Sequence, residues 1–230
     1  MKTIHFFLDF DGTIAAADVV DTVLERFADK EWKNVEKEWQ EGRIGSRECL
    51  SRQVRLIKAT PEEIRDEVSK VKLDPYFLSF LKTAEELGVL VTIVSDGFDV
   101  FIEQVLKNNL TETPALIKAV PIYSNKFRKT ASGFEAGFAT ETPCPHGCAN
   151  CKALLIKKMT SHDDHVFFVG DGLSDRYAAQ QSHLTFAKGK LLEFCKEQNI
   201  DHIAYNDFKK VQEWLMENHS LLKKTRFVRS

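Results

Sequence analysis

The apolar run Ile4-His5-Phe6-Phe7-Leu8 ends in Asp9-Phe10-Asp11-Gly12-Thr13, and this junction limits the chain's options more than any other stretch. A short apolar run closed by turn residues reads as a buried strand. In a strand alternate side chains share a face, so Asp9 and Asp11 point the same way. Two carboxylates held together at a strand end are costly unless a cation or a proton reconciles them. The junction therefore marks a site. Gly12 lets the chain leave the strand tightly and gives a ligand close access to the backbone.

The pattern beyond this strand divides the chain. From residue 15 to about 73 it reads as helical. Val19, Val20, Val23, Leu24 and Phe27 make one apolar face, and a second helix is expected over Trp32 to Trp39. A third starts at Ser46, with Leu50, Val54 and Ile57 on its face, and Thr60-Pro61-Glu62-Glu63 opens a fourth. From Asp74 the pattern alternates between helix and strand. A helix through Phe80, Leu81 and Leu87 ends at Gly88, a buried strand runs from Val89 to Val94, and a helix follows over Phe98 to Asn108. A further helix over Lys152 to Met159 leads to the strand Val166 to Val169. Between them, Ala115 to Thr140 is read as a strand followed by a projecting hairpin, with Ser132-Gly133 and Gly137 as turn signals. A last amphipathic helix spans Asp207 to Asn218. Such alternation predicts an α/β fold with a mainly parallel sheet, which binds ligands at the carboxyl ends of its strands. The expected units are a core of residues 1–14 and 74–222, a helical insertion of 15–73, and a basic tail of 223–230.

A net charge of -2 argues against a nucleic-acid binder, since no charge excess drives counterion release. No segment approaches the ~20 apolar residues that span a bilayer. The N-terminus, one lysine followed by a strand, lacks the layout of a signal peptide. The expected protein is a cytoplasmic enzyme, a monomer or homodimer, whose partner is a small molecule and which contacts neither nucleic acid nor membrane. Five cysteines, an odd number, exclude an all-paired disulfide framework within one chain.

Three more signals converge on the first. Ser95-Asp96-Gly97 follows the strand ending at Val94, where a hydroxyl and free N–H groups suit an anion. Lys152 opens a helix and offers an ammonium to a phosphate. Gly170-Asp171-Gly172-Leu173-Ser174-Asp175 follows the strand Val166 to Val169, and in a parallel sheet Asp171 reaches the crevice of Asp9 and Asp11. That cluster of oxygens suits a hard cation such as Mg²⁺.

In order and spacing these four stretches resemble the motifs of the haloacid dehalogenase-like (HAD) phosphohydrolase superfamily. The resemblance covers most of the chain and implies a Rossmann-like HAD core with a C1-type cap inserted after the first strand. It implies that Asp9 is the nucleophile and Asp11 the general acid, then the base for water. Thr13, Asp18, Ser95, Asp96, Gly97 and Lys152 would meet the substrate. Asp9, the Asp11 carbonyl and Asp171 would bind Mg²⁺, with Asp175 supporting them. A carboxylate two residues after the nucleophile is expected of phosphatases and phosphomutases, and not of dehalogenases. The substrate implied is a small phosphorylated metabolite; a phosphomutase and a non-catalytic phosphate-binding protein are the other readings.

The cap resembles that of phosphoserine phosphatases, with two departures. Asp18 stands where a glutamate is expected, and Gln53 where an arginine would meet the substrate carboxylate, a loss that weakens such recognition. The cysteine loop Cys144-Pro145-His146-Gly147-Cys148-Ala149-Asn150-Cys151 more closely resembles phosphatases of the methionine-salvage enol phosphate, and less closely those of phosphoethanolamine and phosphocholine. Cys144, Cys148 and Cys151, with His146, have zinc-like spacing but lack a second paired half. Reduced thiols packing a loop are the simpler reading, followed by structural Zn²⁺ and then by reversible oxidation. His5, His162, His165 and His183 lack paired spacing and are expected at the surface or satisfied in the core. Trp32 and Trp39 are expected in the cap core, and Glu36, Lys37 and Glu38 on a solvated face.

Overall fold

A computed structural model describes residues 3–110, 114–139 and 144–224. Most of the expected basic tail, 225–230, lies outside the described residues, as does Thr140 at the end of the expected hairpin. The strands are β1 (Ile4–Leu8), β2 (Leu90–Phe98), β3 (Ile122–Thr130), β4 (Gly133–Gly137), β5 (His165–Gly170), β6 (Leu184–Ala187) and β7 (His202–Ala204). They form one sheet in the order β4-β3-β2-β1-β5-β6-β7, parallel throughout except where β3 meets β4.

Strand β1 is central because it is apolar on both faces. Phe6 and Leu8 enter one core, and Phe7 enters the other; alternation along a strand makes the division. The first core is covered by α5 (Phe77–Glu86) and α11 (Phe208–Leu222), with Phe6 5.0 Å from Phe167 and 5.5 Å from Phe80 between ring centroids. The second lies under α8 (Lys152–Met159), α9 (Arg176–Ala179) and α10 (Gly189–Glu197), with Phe168, Ile156, Leu191 and Cys195 inside it. Register pairs Leu8 with both Ile93 and Val169. The segments after β1, β2 and β5 therefore emerge side by side.

The cap consists of α1 (Val19–Phe27), α2 (Trp32–Gln40), α3 (Ser46–Val54) and α4 (Pro61–Val68). Asp18 caps α1 by accepting from the Asp21 N–H, and Thr60 with Glu63 forms a reciprocal capping box on α4. The insertion joins the core through two adjacent extended segments bridged at Ala15 and Leu73. The Ala16 N–H donates to the Lys72 carbonyl and the Asp74 N–H to that of Ile14, both at 2.8 Å.

Two expectations need correction. Strand β2 continues through Phe98, and the next helix, α6, is Asp99–Asn109. Beyond Val94 the pairing with β3 shifts register and resumes at Phe98 opposite Asn125. Ser95-Asp96-Gly97 is thus an irregularity within a strand, of the kind that re-aims side chains. The hairpin is also not a separate unit: β3 is both a sheet strand and the hairpin's first arm, while α7 (Pro114–Lys118) occupies the expected strand start. Among the described residues, no helix is long and apolar enough to cross a membrane.

Candidate active site

The ends of β1, β2 and β5, the start of α8 and the underside of the cap enclose a cavity of about 130 Å³. All four sequence signals meet there. Lys152 is its electrostatic centre, with Nζ 2.5 Å from both Asp9 Oδ1 and Asp175 Oδ1 and 3.4 Å from Ser174 Oγ. Burial alone would lower its pKa, but Asp175, Asp9 and Asp96 hold the ammonium well above the ordinary lysine range.

The carboxylates around it differ in what their oxygens do. Asp175 is saturated: Oδ2 accepts from the N–H groups of Asp171 and Gly172 at 3.0 and 3.1 Å, while Oδ1 faces Lys152. Asp171 Oδ1 accepts from Thr13 Oγ1 at 3.0 Å. Thr13 therefore supports Asp171 and is not among the residues lining the cavity. Ligand oxygens of Asp9, Asp171 and Asp175 lie within 4.8 Å of one another. Burial, then the neighbouring Asp175, raises Asp9 well above the carboxylate range and Asp171 to about 6. One lysine among three acids leaves negative charge uncompensated. A hard divalent cation between Asp9 and Asp171 fits that donor set and relieves the repulsion.

Asp11 stands apart. Its Oδ1 accepts from the Val19 N–H at 2.9 Å and its Oδ2 from Ser95 Oγ at 3.2 Å. Burial, then the charge of Asp18, pushes it up to about 8, so it holds a proton at neutral pH. A Cβ at Gly97 would fall 2.4 Å from Asp11 Oδ2, and one at Gly12, where φ is +69°, 2.4 Å from Asp171 Oδ2. Both positions require glycine.

The β2 irregularity carries three further residues expected at the substrate. Ser95 is fully buried with its hydroxyl beside Asp11. The Gly97 N–H is spent on Ser95 Oγ at 2.8 Å. Asp96 is a brace: Oδ2 accepts from Ser46 Oγ at the start of α3 (2.7 Å), and Oδ1 from the Asn150 N–H (3.3 Å). Asn150 also donates through Nδ2 to the carbonyls of Ser95 and Tyr123, both at 3.0 Å. Asp96 and Gly97 both line the cavity as well. Sequence reasoning does not find Ser46 and Asn150, because nothing in their local sequence says what they face.

The cap wall overturns two bland readings. Trp32 is in the cap core, but Trp39 lines the cavity. Glu36 lines it too, accepting from Gln53 Nε2 at 3.1 Å. Asp18 and Asp21 complete an acidic rim, and burial, then Asp18 and Glu36, raises Asp21 to about 7. No arginine lines the cavity among the described residues; Arg52 is turned to Glu38, at 2.8 and 3.1 Å.

The cysteine loop sits behind Lys152. Sulfurs of Cys144, Cys148 and Cys151 lie within 4.8 Å of one another, while the His146 ring is stacked on Tyr177 at 3.7 Å. Of the four solitary histidines, His5 is buried and bonded to Thr92 Oγ1 at 2.8 Å, a satisfied core residue.

Comparison with known proteins identifies the family and the fold. The profile of the haloacid dehalogenase-like hydrolase family matches residues 6–180. The chain is 31% identical over 215 residues to the bifunctional enzyme MtnB/MtnX of Bacillus licheniformis, covering 91% of this chain and 48%, about half, of that longer protein. It is 26% identical over 220 residues to the 2-hydroxy-3-keto-5-methylthiopentenyl-1-phosphate phosphatase of Bacillus pumilus, covering 90% and 92% of the two chains. Among solved structures, a substrate-bound phosphoserine phosphatase superposes with a TM-score of 0.69 at 20% identity, covering 93% of this chain and 99% of that one. At that identity the likeness speaks for the fold alone.

Proposed function

Because this chain belongs to the haloacid dehalogenase-like hydrolase family, we propose that it is a Mg²⁺-dependent phosphatase that hydrolyses a small phosphomonoester through a phosphorylated Asp9. The observation that carries the reading is the convergence on one cavity of a lysine-held Asp9, an Asp11 beside Ser95, and Asp171. Asp9 attacks phosphorus while Asp11 gives its proton to the departing alkoxide. Asp11, now a carboxylate, takes a proton from water as that water attacks the phosphoryl group and frees Asp9. Ser95 and Lys152 hold the phosphoryl oxygens, since this transfer depends mostly on placement and charge neutralisation. Bound between Asp9 and Asp171, Mg²⁺ would supply positive charge to those oxygens. The cap excludes water while the ester is in place.

For the leaving group, the names of relatives such as that from B. pumilus favour the methionine-salvage enol phosphate. Val20, Cys49, Leu50 and Trp39 give the cavity an apolar side suited to a methylthio chain. The absence of a lining arginine among the described residues counts against phosphoserine. A second reading, a cationic leaving group of the ethanolamine or choline type, is favoured by Asp18, Asp21 and Glu36 on the same wall. Phosphate release from a panel containing the enol phosphate, phosphoethanolamine, phosphocholine and phosphoserine, with Mg²⁺ or EDTA, separates these readings. Mass analysis of acid-quenched enzyme is expected to find the phosphoryl group on the peptide containing Asp9. Release that EDTA leaves intact would refute the metal, and a phosphoryl group elsewhere would refute the nucleophile.

A further inference from the structure

Three of the five cysteines behave differently from the other two. Cys49 and Cys195 are buried, and Cys195 packs within the second hydrophobic core. Cys144, Cys148 and Cys151 are all free and only partly buried, and belong to neither hydrophobic cluster. Packing of apolar side chains does not account for three thiols meeting in one place.

The loop is shaped around its sulfurs. The Gly147 N–H donates to the Cys144 carbonyl at 2.9 Å, closing a turn that Gly147 completes with φ of +65°. The next N–H, that of Cys148, donates to the Cys144 sulfur at 3.3 Å. Cys151 is the N-cap residue of α8, which ties its sulfur to the start of the helix that carries Lys152. A backbone donor aimed at the Cys144 sulfur favours thiolate there, the form that binds metal.

We propose that Cys144, Cys148 and Cys151 hold one structural zinc ion. The C-x₃-C-x₂-C spacing is within the range of thiolate zinc sites, and the sulfurs already converge within 4.8 Å. His146 is held against Tyr177 and outside the sulfur group, so the fourth position falls to water or another external donor. None of the three sulfurs lines the catalytic cavity, so the ion takes no part in phosphoryl transfer.

Its role follows from what the loop touches. The Gly147 carbonyl accepts from the Arg47 N–H at 3.1 Å, and the Ala149 N–H donates to Ser46 Oγ at 2.9 Å. Asn150 braces Asp96, and Cys151 is followed directly by Lys152. One ion would thus pin the start of α3, the Ser95-Asp96 turn and the catalytic lysine to one loop. A disulfide would join only two sulfurs and leave the third.

The test uses the whole protein expressed with zinc and dialysed without chelator. Metal analysis is expected to find one zinc per chain, and exchange for Co²⁺ to give sulfur-to-cobalt charge-transfer bands with the intense ligand-field bands of a tetrahedral site. Both should vanish in Cys148→Ser and persist in Cys195→Ser. In native protein, zinc should slow alkylation of the three loop cysteines by roughly tenfold relative to zinc-stripped protein, a readout that remains if Cys148→Ser fails to fold. Metal-free protein with unchanged alkylation, cobalt spectra without thiolate bands, or two loop thiols missing through disulfide formation would each overturn the proposal.

Discussion

The floor of the catalytic cavity and its roof solve the problem of buried polar groups in opposite ways. On the floor, Asp9, Asp171 and Asp175 are gathered around a single lysine, and only Asp175 has every oxygen occupied by backbone N–H groups or ammonium. The negative charge left over suits a divalent cation, and in the proposed reaction that cation together with Lys152 would offset the charge of the phosphate. On the roof, most polar groups pair with each other or with the loop below: Glu36 with Gln53, Ser46 with Asp96 and Ala149. A reacting surface keeps unsatisfied charge, whereas a closing surface spends its hydrogen bonds on holding position.

The comparison breaks first at Asp9. Asp9→Asn keeps an acceptor for Lys152 but loses the attacking charge, so phosphate release should fall by at least about 10³-fold, with an unchanged melting temperature. Residual turnover close to wild type would mean that the floor does not react through this residue. Lys152→Met is expected to do damage of both kinds. It removes the ammonium from the phosphate site and strands Asp9 and Asp175 without their cation. Breaking a buried pair in that way costs about 3–5 kcal/mol. Denaturant unfolding that shows no loss would contradict the ion triad.

Asp9 and Lys152 are both legible in the amino-acid sequence, and the reason is local. In the sequence Asp9 and Ser95 follow apolar runs directly, Asp171 follows one a residue later and Lys152 opens a helix, so these runs announce both the sheet and its active edge, although Ser95 itself lies within β2. The roof depends on which face of a helix meets which loop. Glu36 and Trp39 look like a solvated face and a core residue in sequence, and only packing of α2 and α3 over the cavity turns them inward. Asp96 is legible as a site residue but not as a brace, since its partners Ser46 and Asn150 lie 50 and 54 residues away. The short elements β6, β7 and α9 escape a sequence reading because runs of three or four residues carry too little periodicity.

The pH profile sharpens the contrast. Asp11, held up to about 8, must carry its proton for leaving-group departure. As far as Asp11 is concerned, kcat/KM should therefore fall about tenfold per pH unit above that value. Poorer leaving groups, which need the proton more, should show the steeper loss. A profile flat to well beyond about pH 9 with a poor leaving group would remove Asp11 as the acid.

On the roof, effects should be smaller and selective. Glu36→Gln is expected to lower kcat/KM for phosphocholine or phosphoethanolamine by about tenfold relative to the enol phosphate, because one of three carboxylates facing a cation is lost. Equal changes for all substrates would assign Glu36 to cap packing through Gln53.

The smallest change tests the seam between the two walls. Ser46 Oγ donates to Asp96 and accepts from Ala149, so Ser46→Ala removes two of the bonds by which α3 meets the strand end and the cysteine loop. The catalytic groups themselves are untouched. Each bond is worth about 1 kcal/mol net, which sets the expected rise in KM at several-fold, with kcat nearly unchanged and the pH limb in place. The same variant should open the loop cysteines to alkylation faster than wild type, because Ala149 lies between Cys148 and Cys151. If kcat fell as far as in Lys152→Met while KM held, the seam would be part of the reacting floor, and the division between a charged reacting surface and a hydrogen-bonded closing surface would fail at its boundary.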